Sequence, residues 1–201
     1  MKEIMIATKN KGKVNEFRDL FASQGVKLKS LLDYPKIEDI EETGKTFAEN
    51  AQIKAEAIAK KLYIPVIADD SGLAIDYLDG RPGVYSARYA GEHKNDTDNL
   101  NKVIEELTGV PNEKRTARFH CALALAIPGE ETEIVEGTCE GVITENPVGE
   151  NGFGYDPIFF VPEKGKTLAE LSNDEKNMIS HRGNALRKLE KLLRDREEFQ
   201  R

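Results

Sequence analysis

Residues 64–73, which read IPVIADDSGL, decide how the chain is expected to fold. The apolar run 64–68 predicts a strand buried on both faces, as in sheets that are covered by helices. Two adjacent carboxylates, Asp69 and Asp70, end that run, and Ser71 and a glycine follow. Because ligands of open α/β sheets bind at the carboxyl ends of strands, we expect the chemistry of the protein here.

Asp69 and Asp70 have two interpretations on these residues alone. Adjacent carboxylates repel each other, and when held near one point they favour a divalent cation. The hard, oxygen-seeking Mg²⁺ fits such carboxylates best. Asp, Ser and Gly are also ordinary turn residues, so the same four residues equally fit a polar turn after a strand.

The N-terminal segment has the pattern of a strand, a polar loop and a helix. Residues 4–8 predict the strand, and apolar side chains then recur at helical spacing, at Val14, Phe17, Leu20 and Phe21. The loop between them consists of Thr8, Lys9, Asn10, Lys11, Gly12 and Lys13. Such a loop aims backbone N–H groups and a helix N-terminus at an anion, which favours phosphate binding. A solvated basic loop is the alternative, since lysines are mostly exposed.

An acidic loop and a second helix come before the central stretch. Thr46 and Glu49 form a capping-box sequence, which gives Glu49 a structural explanation. The helix that it opens is predicted to bury a stripe of Phe47, Ala51, Ala55, Ile58 and Leu62. The preceding loop, 38–44, contains Glu41 and Glu42 and has no such explanation. It supplies either further metal-binding carboxylates or a charged surface.

Downstream of the central stretch the sequence predicts a helix and a long hairpin. Capping residues at 95–98 precede apolar residues at helical spacing, at Leu100, Val103, Ile104 and Leu107. Residues 117–127 alternate as one strand, and 134–143 return after a turn. Cys121 and Cys139 face each other if that hairpin is centred on residue 130, which allows a disulfide. A reducing compartment instead favours two buried thiols.

Two later segments carry unusual residues. In 151–157, which reads NGFGYDP, two glycines flank Phe153, so the backbone can approach a ligand while the ring offers a stacking face. The alternative is an aromatic side chain that fills the core. Residues 172–175 form another capping-box sequence, and His181 and Arg182 precede the last helix. A histidine at a helix end by default interacts with the helix dipole. With Lys176, however, this junction collects three cationic or donor side chains.

Composition bounds the class of protein. The 201 residues suffice for one domain, 1–201, with two lobes. Hydrophobic residues are 39% and charged residues 32%, without a membrane-length apolar run or a secretory segment, so we expect a cytoplasmic protein that does not enter a membrane. The net charge of −7 argues against nucleic-acid binding. It does not exclude an anionic small molecule, because screening confines charge effects to about 10 Å.

Five segments, in order along essentially the whole chain, resemble the motifs of the inosine/xanthosine triphosphate pyrophosphatases. They are residues 8–13, 68–73, 82–89, 152–157 and 180–182. The resemblance implies hydrolysis of ITP, dITP and XTP to the monophosphate and pyrophosphate, a requirement for Mg²⁺, and a homodimer. It also implies an α/β fold with an elongated mixed β-sheet flanked by helices, in two lobes with the site in a central cleft.

The resemblance further implies roles for individual residues. Asp70 is the expected general base and a metal ligand, with Asp69 beside it and Glu41 as the second metal carboxylate. Glu42 and Glu49 remain alternatives to Glu41. The phosphate chain is expected on Thr8, Lys9, Asn10, Lys11, Gly12 and Lys13. The other expected substrate contacts are Ser71, Phe153, Gly154, Tyr155, Asp156, Lys176, His181 and Arg182.

Two rival functions are consistent with parts of this pattern. A module that binds purine nucleotides without hydrolysing them would share the phosphate loop and the aromatic segment. Such a binder has little reason to place Asp69 and Asp70 beside an anion. A related pyrophosphatase acting on modified pyrimidines is disfavoured only through the resemblance at Lys176, His181 and Arg182.

Overall fold

The structure is a computed structural model that describes residues 3–21 and 27–196. The side chains of Asp19 and Leu20 lie outside the described residues, so the predicted burial of Leu20 is not addressed. The strands are β1 Glu3–Ile6, β2 Lys27–Ser30, β3 Val66–Ile75, β4 Thr116–Ala126, β5 Glu133–Ile143, β6 Phe159–Val161 and β7 Lys166–Thr167. The α-helices are α1 Lys11–Phe21, α2 Phe47–Leu62, α3 Asp96–Glu106, α4 Asn173–Ile179 and α5 His181–Arg194.

The strands form one mixed sheet in the order β2-β1-β3-β4-β5-β6-β7. β1 pairs in parallel with both β2 and β3, with Met5 opposite Val66 in the second pair. β6 pairs antiparallel with β5 and with β7. The predicted α/β class with a mixed sheet flanked by helices is therefore confirmed.

The central strand differs from its prediction. β3 continues from Val66 to Ile75, so Asp69, Asp70 and Ser71 are strand residues, and their interpretation as a polar turn is wrong. Both carboxylates are buried, and buried charges persist only where other groups pair with them. Lysine and amide groups from other elements supply that pairing, as described below, and these partners are not visible in the apolar pattern of residues 64–68.

Two compact units make up the chain. Unit 1 consists of Met1–Asp70, Ala122–Glu136 and Ala185–Arg201, and unit 2 of Ser71–Cys121 and Gly137–Asn184. The core of unit 1 is built on β1, α2 and the first half of β3, and that of unit 2 on the second half of β3, α3, β4 and β6. The division along the chain falls between Asp70 and Ser71, two consecutive residues of β3.

The helices begin where the capping residues predict. Thr46 and Ser172 accept at their side chains from the N–H groups of Glu49 and Glu175, and Asn95 caps α3 in the same way. The predicted stripe of α2 is largely buried, through Ala51, Ala55 and Ile58. The sequence patterns did not predict the short strands β2, β6 and β7, which have four residues or fewer.

The predicted hairpin is confirmed: β4 and β5 occupy 116–126 and 133–143, and each of the four strand ends lies within one residue of its predicted position. Cys121 and Cys139 are both buried thiols and are not joined by a disulfide. Burial, with the nearby charge of Glu140, raises the pKa of Cys139 to about 11. Within residues 3–21 and 27–196, none of the helices combines the length and apolar character needed to cross a membrane.

Candidate active site

The loop between β1 and α1 is held by its own polar side chains. Asn10 accepts at Oδ1 from the N–H of Lys13 at 3.1 Å, and its carbonyl accepts from the N–H of Val14 at 3.0 Å. Thr8 accepts at Oγ1 from the N–H of Asn10 at 3.2 Å. Asn10 thus occupies the capping position of α1. The helix begins at this loop, which is the arrangement that suits an anion.

The lysines of this loop separate into two environments. Lys13 is half-buried, and its Nζ lies 2.7 Å from Oδ2 of Asp69. Lys9 is exposed and pairs with Asp39 of the acidic loop at 2.8 Å, and Lys11 is exposed. Of the three, Lys13 is therefore the one that the fold directs to the carboxylates of β3.

Asp70 lies in a polar group that we call the acid group, made of Lys13, Glu42, Asn50, Lys54, Asp69 and Asp70. Asn50 donates from Nδ2 to Oδ2 of Asp70 at 3.1 Å. Lys54 donates from Nζ to the backbone oxygen of Asp69 at 2.5 Å and to Glu42 at 2.7 Å. Asn50 and Lys54 are one helical turn apart on α2, so this helix brings both donors to the middle of β3.

Burial dominates the protonation behaviour of Asp70. Loss of hydration, with a smaller contribution from the nearby charge of Glu42, outweighs the opposite effects of Lys54, Asn50 and Lys13 and raises the pKa of the Asp70 carboxyl to about 6. For Lys54, burial alone would lower the pKa, but the charges of Asp69, Asp70 and Glu42 raise it above its usual value. Asp70 is therefore a carboxylate that accepts a proton more readily than an exposed aspartate.

The three glutamates that the sequence left open have different surroundings. Glu49 accepts from the N–H groups of Lys45 at 2.6 Å and Thr46 at 3.2 Å, so it serves the cap of α2. Glu42 is half-buried, pairs with Lys54 and acts electrostatically on Asp70. Glu41 is exposed. The structure thus brings Glu42 into the acid group with Asp69 and Asp70.

The donors of the acid group fit a hard cation only if the substrate supplies the remaining ligands. Among the described residues there is no group of three or more His, Cys, Asp or Glu side chains that could hold a metal by itself. Mg²⁺ is usually bound through one or two carboxylates together with phosphate oxygens and water. Asp70 and Glu42 supply the two carboxylates of that donor set, and Lys13 of the loop 8–13 belongs to the same acid group.

The segment 151–157 forms part of a second group, in unit 2, which we call the aromatic group: Phe153, Asp156, Lys176, His181 and Arg182. Asp156 accepts at Oδ2 from the N–H of Phe153 at 2.9 Å and from Nζ of Lys176 at 2.6 Å. A Cβ at Gly152 would lie 2.0 Å from this oxygen, so only glycine fits there. Phe153 remains 41% exposed, which excludes the interpretation that its ring fills the core.

Two cations of the aromatic group lie near the face of the same ring. Nζ of Lys176 is 4.9 Å and the guanidinium carbon of Arg182 is 5.8 Å from the centre of Phe153. Both side chains are buried, and Arg182 also donates from Nη2 to Oγ of Ser71 at 3.0 Å. This arrangement presents hydrogen-bond donors beside an exposed aromatic face.

The junction of α4 and α5 sets the positions of these cations. A Cβ at Gly183 would lie 1.9 Å from the backbone oxygen of Asn177, so glycine is needed for the close approach of the two helices. His181 is the first residue of α5, and its ring stacks on Phe119 with centres 4.7 Å apart. His181 directly follows Ser180, the C-cap of α4, so it lies between the C-terminus of one helix and the N-terminus of the next.

The aromatic segment has two further anchors within unit 2. Asp96 in the first turn of α3 accepts from the N–H of Gly154 at 3.0 Å. Tyr155 is buried, and its hydroxyl donates to the backbone oxygen of Ser86 at 2.6 Å. Burial raises the pKa of Tyr155 well above its usual value, so the hydroxyl stays a donor. Tyr155 therefore anchors the segment 151–157 to the backbone at Ser86, with its ring buried.

Sequence reasoning missed Asn50, Lys54 and Asp96 as members of these sites. One signal was present, because Asn50 and Lys54 each precede an apolar stripe residue of α2, Ala51 and Ala55. Polar residues on or beside the buried face of an amphipathic helix are candidates for buried contacts. Asp96 gave no such signal, since an acidic residue in the first turn of a helix is ordinary.

A buried carboxylate among lysines, on a central strand of a mixed α/β sheet, is an arrangement that fits an enzyme acting on a phosphorylated substrate. The family model described as "Ham1 family" matches residues 4–192. The chain belongs to the Ham1 family.

Several proteins with known names resemble the chain over nearly its whole length. The dITP/XTP pyrophosphatase of Geobacillus kaustophilus (strain HTA426) is 66% identical over 190 residues, 94% of this chain and 93% of that protein. The dITP/XTP pyrophosphatase of Bacillus subtilis (strain 168) is 63% identical over 193 residues, 96% of this chain and 98% of that protein.

A solved structure agrees with the fold. The Ham1 protein of Staphylococcus aureus superimposes with a TM-score of 0.89 at 46% identity, covering 96% of this chain and 99% of that one. The expected likeness to inosine/xanthosine triphosphate pyrophosphatases is confirmed at the level of the family.

Proposed function

We propose that this chain hydrolyses dITP, ITP and XTP to the nucleoside monophosphate and pyrophosphate. One observation carries the proposal: Asp70 belongs to the lysine-bearing acid group, and the next residue, Ser71, is bound to Arg182 of the aromatic group. Two consecutive residues of β3 therefore belong to the acid group, which suits a phosphate and a cation, and to the aromatic group, which suits a nucleobase. Relatives named dITP/XTP pyrophosphatase, at 63–66% identity, support the same reaction.

The phosphate chain binds the loop of Thr8, Lys9, Asn10, Lys11, Gly12 and Lys13 in this proposal. Two observations support this binding: the N-terminus of α1 lies at this loop, and the half-buried Lys13 lies beside Asp69. Positioned cations stabilise the charge that develops on a leaving pyrophosphate. Asp69 holds Lys13 in place through their ion pair.

Mg²⁺ is the cofactor of the proposed reaction, with Asp70 and Glu42 as its protein ligands. When bound, the cation offsets the negative charge of the triphosphate and polarises its phosphorus. The resemblance implied Glu41 for the second carboxylate. The ion pair of Glu42 with Lys54, and its charge effect on Asp70, favour Glu42 instead.

Asp70 acts as the general base. Its carboxylate accepts a proton from water while the water oxygen forms a bond to the α-phosphorus, and the bond from that phosphorus to the bridging oxygen breaks to release pyrophosphate. In the metal-free chain, burial makes this carboxyl a better proton acceptor than an exposed aspartate, which supports its role as the base. The charge of Lys54 partly offsets the repulsion between Asp70 and Glu42.

The aromatic group selects the base. Inosine and xanthosine carry an oxygen at C6 where adenosine carries an amino group. Lys176 and Arg182 have only hydrogen-bond donors, so they can pair with the C6 oxygen of inosine or xanthosine. The C6 amino group of adenosine is also a donor and would leave them without an acceptor. Phe153 provides the stacking face, with Gly154, Tyr155 and Asp156 shaping its segment, and His181 lies beside Arg182. A buried mismatch of this kind discriminates by several orders of magnitude.

The proposal includes a homodimer in the cytoplasm. The resemblance implies the dimer, and Tyr77, Tyr85 and Met178, large side chains of unit 2 that are exposed in the single chain, are candidates for its interface. Light scattering coupled to size exclusion measures the mass. A mass near 22.5 kDa, that of one chain, would contradict the dimer.

One assay tests the reaction: pyrophosphate release with Mg²⁺ from ITP, dITP, XTP, GTP, ATP and dUTP. We expect fast release from the first three and slow release from the others, and none in the presence of EDTA. Tight binding of ITP without release would favour the nucleotide-binding module. Preferential hydrolysis of dUTP would favour the pyrimidine pyrophosphatase.

A further inference from the structure

Asn50 connects the strand that carries Asp70 to the loop that carries Glu42. It is 1% exposed, in the first turn of α2. Its Oδ1 accepts from the N–H of Gly44 at 2.8 Å, and its Nδ2 donates to Oδ2 of Asp70 at 3.1 Å. A buried amide that is bonded on both sides is expensive to rotate, so it fixes the groups that it joins.

The orientation of this amide follows from its partners. The N–H of Gly44 is a donor and accepts nothing, so the side of Asn50 that meets it must be the oxygen. The nitrogen then faces Asp70, and only an acceptor can stand opposite it. The amide therefore holds one oxygen of the Asp70 carboxylate in place.

Gly44 shows how closely the loop approaches this amide. A Cβ at Gly44 would lie 2.7 Å from Oδ1 of Asn50 and 2.7 Å from the Cβ of Glu49. Real Cβ atoms do not approach other atoms this closely, so any larger residue displaces the loop. Glu42 is two residues before Gly44, so its position depends on the same contact.

We propose that Asn50 is a positioning residue for hydrolysis, which fixes Asp70 through its amide nitrogen and the Glu42 loop through its amide oxygen. This inference rests on the proposed function. Asn50 does not touch the substrate. It acts on the rate because displacing a reacting group by about 1 Å costs on the order of 10²-fold.

Asn50→Asp is the decisive variant. The new carboxylate still accepts from Gly44 but opposes Asp70 with a second negative charge. We expect kcat for dITP to fall about 10²-fold or more, with KM changed less than about threefold, since the phosphate loop and the aromatic group are untouched.

Asn99→Asp is the matched control. Asn99 is 2% exposed on α3, accepts from the N–H of Ala90 at 2.7 Å and donates to the backbone oxygen of Ala87 at 3.1 Å. It makes the same two kinds of bond without holding a carboxylate. Both variants lower the unfolding temperature, but only Asn50→Asp should lower kcat. Equal kcat values in the two variants would overturn the inference.

Two measurements keep the test decisive. If Asn50→Asp does not fold, Gly44→Ala moves the same loop and should lower kcat about tenfold; wild-type kcat in that variant would contradict the inference. In NMR spectra of the wild type, the Asn50 side-chain amide protons should be protected from exchange and lose that protection in Asp70→Ala. Absence of dITP hydrolysis by the wild type would instead refute the proposed function.

Discussion

The acid group and the aromatic group both bury charge, but with opposite balance. The acid group has three carboxylates against two lysines, an excess of one negative charge. The aromatic group has one carboxylate against Lys176 and Arg182, an excess of one positive charge when His181 is neutral. The first balance attracts a cation, and the second attracts an oxygen atom of a ligand. In the proposed function, this difference corresponds to chemistry at the acid group of unit 1 and recognition at the aromatic group of unit 2.

The groups also differ in how their carboxylates are held. Asp70 is raised in pKa, because its burial outweighs its partners. Asp156 is clamped by the ammonium group of Lys176 and by a backbone N–H. One carboxylate is held where burial favours its protonation, and the other orients the cation that pairs with it. Removing each charge should therefore have different consequences.

Asp70→Asn should give the largest effect. The amide keeps the shape of the side chain but cannot accept the proton of water, so kcat should fall by about 10²–10⁴-fold. Pyrophosphate release from dITP measures it, with circular dichroism to confirm folding. Near-wild-type turnover would show that the acid group does not supply the base.

Asp156→Asn should destabilise the fold. It leaves Lys176 buried without its partner, and breaking a buried ion pair in this way costs about 3–5 kcal/mol. Urea unfolding of the variant and of the wild type measures the difference. An unchanged midpoint would mean that the aromatic group does not depend on this pair.

Asp70→Asn should have the opposite effect on stability in metal-free buffer. The folded-state pKa of Asp70, about 6, is above the ordinary 3.8, so the folded protein holds this proton more tightly than the unfolded chain. That stabilisation is complete below about pH 4 and is lost as the pH rises through about 6. At pH 7.5 the wild type is therefore less stable than the variant by about 3 kcal/mol. Thermal unfolding of both proteins with EDTA at pH 4 and pH 7.5 measures this difference. If Asp70→Asn is more stable than the wild type by the same amount at pH 4, the ionisation of Asp70 is not the cause.

Arg182→Ala should mainly change selectivity. Loss of a charged donor is worth about 1.5–3 kcal/mol, so the preference for ITP over ATP should fall about 10- to 100-fold while turnover of the preferred substrate falls less. Arg118→Ala is the control, because Arg118 is a half-buried cation of unit 2 that pairs with Glu140 and Asp76 and is not part of the aromatic group. A ratio unchanged in both variants would remove Arg182 from base recognition.

Local patterns predicted most helices, because their signals lie within a few residues. Thr46 with Glu49, Ser172 with Glu175 and Asn95 each cap a helix through contacts three residues apart. The end of β3 was not predictable in this way. Asp69 and Asp70 stay in the strand because Lys13, Asn50 and Lys54 pair with them, and no window of residues 64–73 contains those partners.

The candidate sites divide along the same line. The phosphate loop and the aromatic segment are contiguous motifs, and the resemblance named their residues. The proposal of Glu42 rather than Glu41 as the second metal carboxylate rests on the contact of Glu42 with Lys54, twelve residues further along the chain. A one-residue choice within an acidic loop requires the three-dimensional contact.

The sequence separation of contacts has a consequence for the order of folding. Asp70 and its strand neighbour Asp69 meet Asn50 and Lys54 across 20 and 15 residues, whereas Ser71 meets Arg182 across 111. Short loops close with less entropy loss and form earlier. We expect the amides of α2 to be protected from exchange before those of α5 in a pulse-labelling experiment during refolding. On the ribosome, the strand segment with Asp70, the proposed general base, can therefore pack against α2 while Lys176 and Arg182, the proposed contacts of the nucleobase, are still being synthesised.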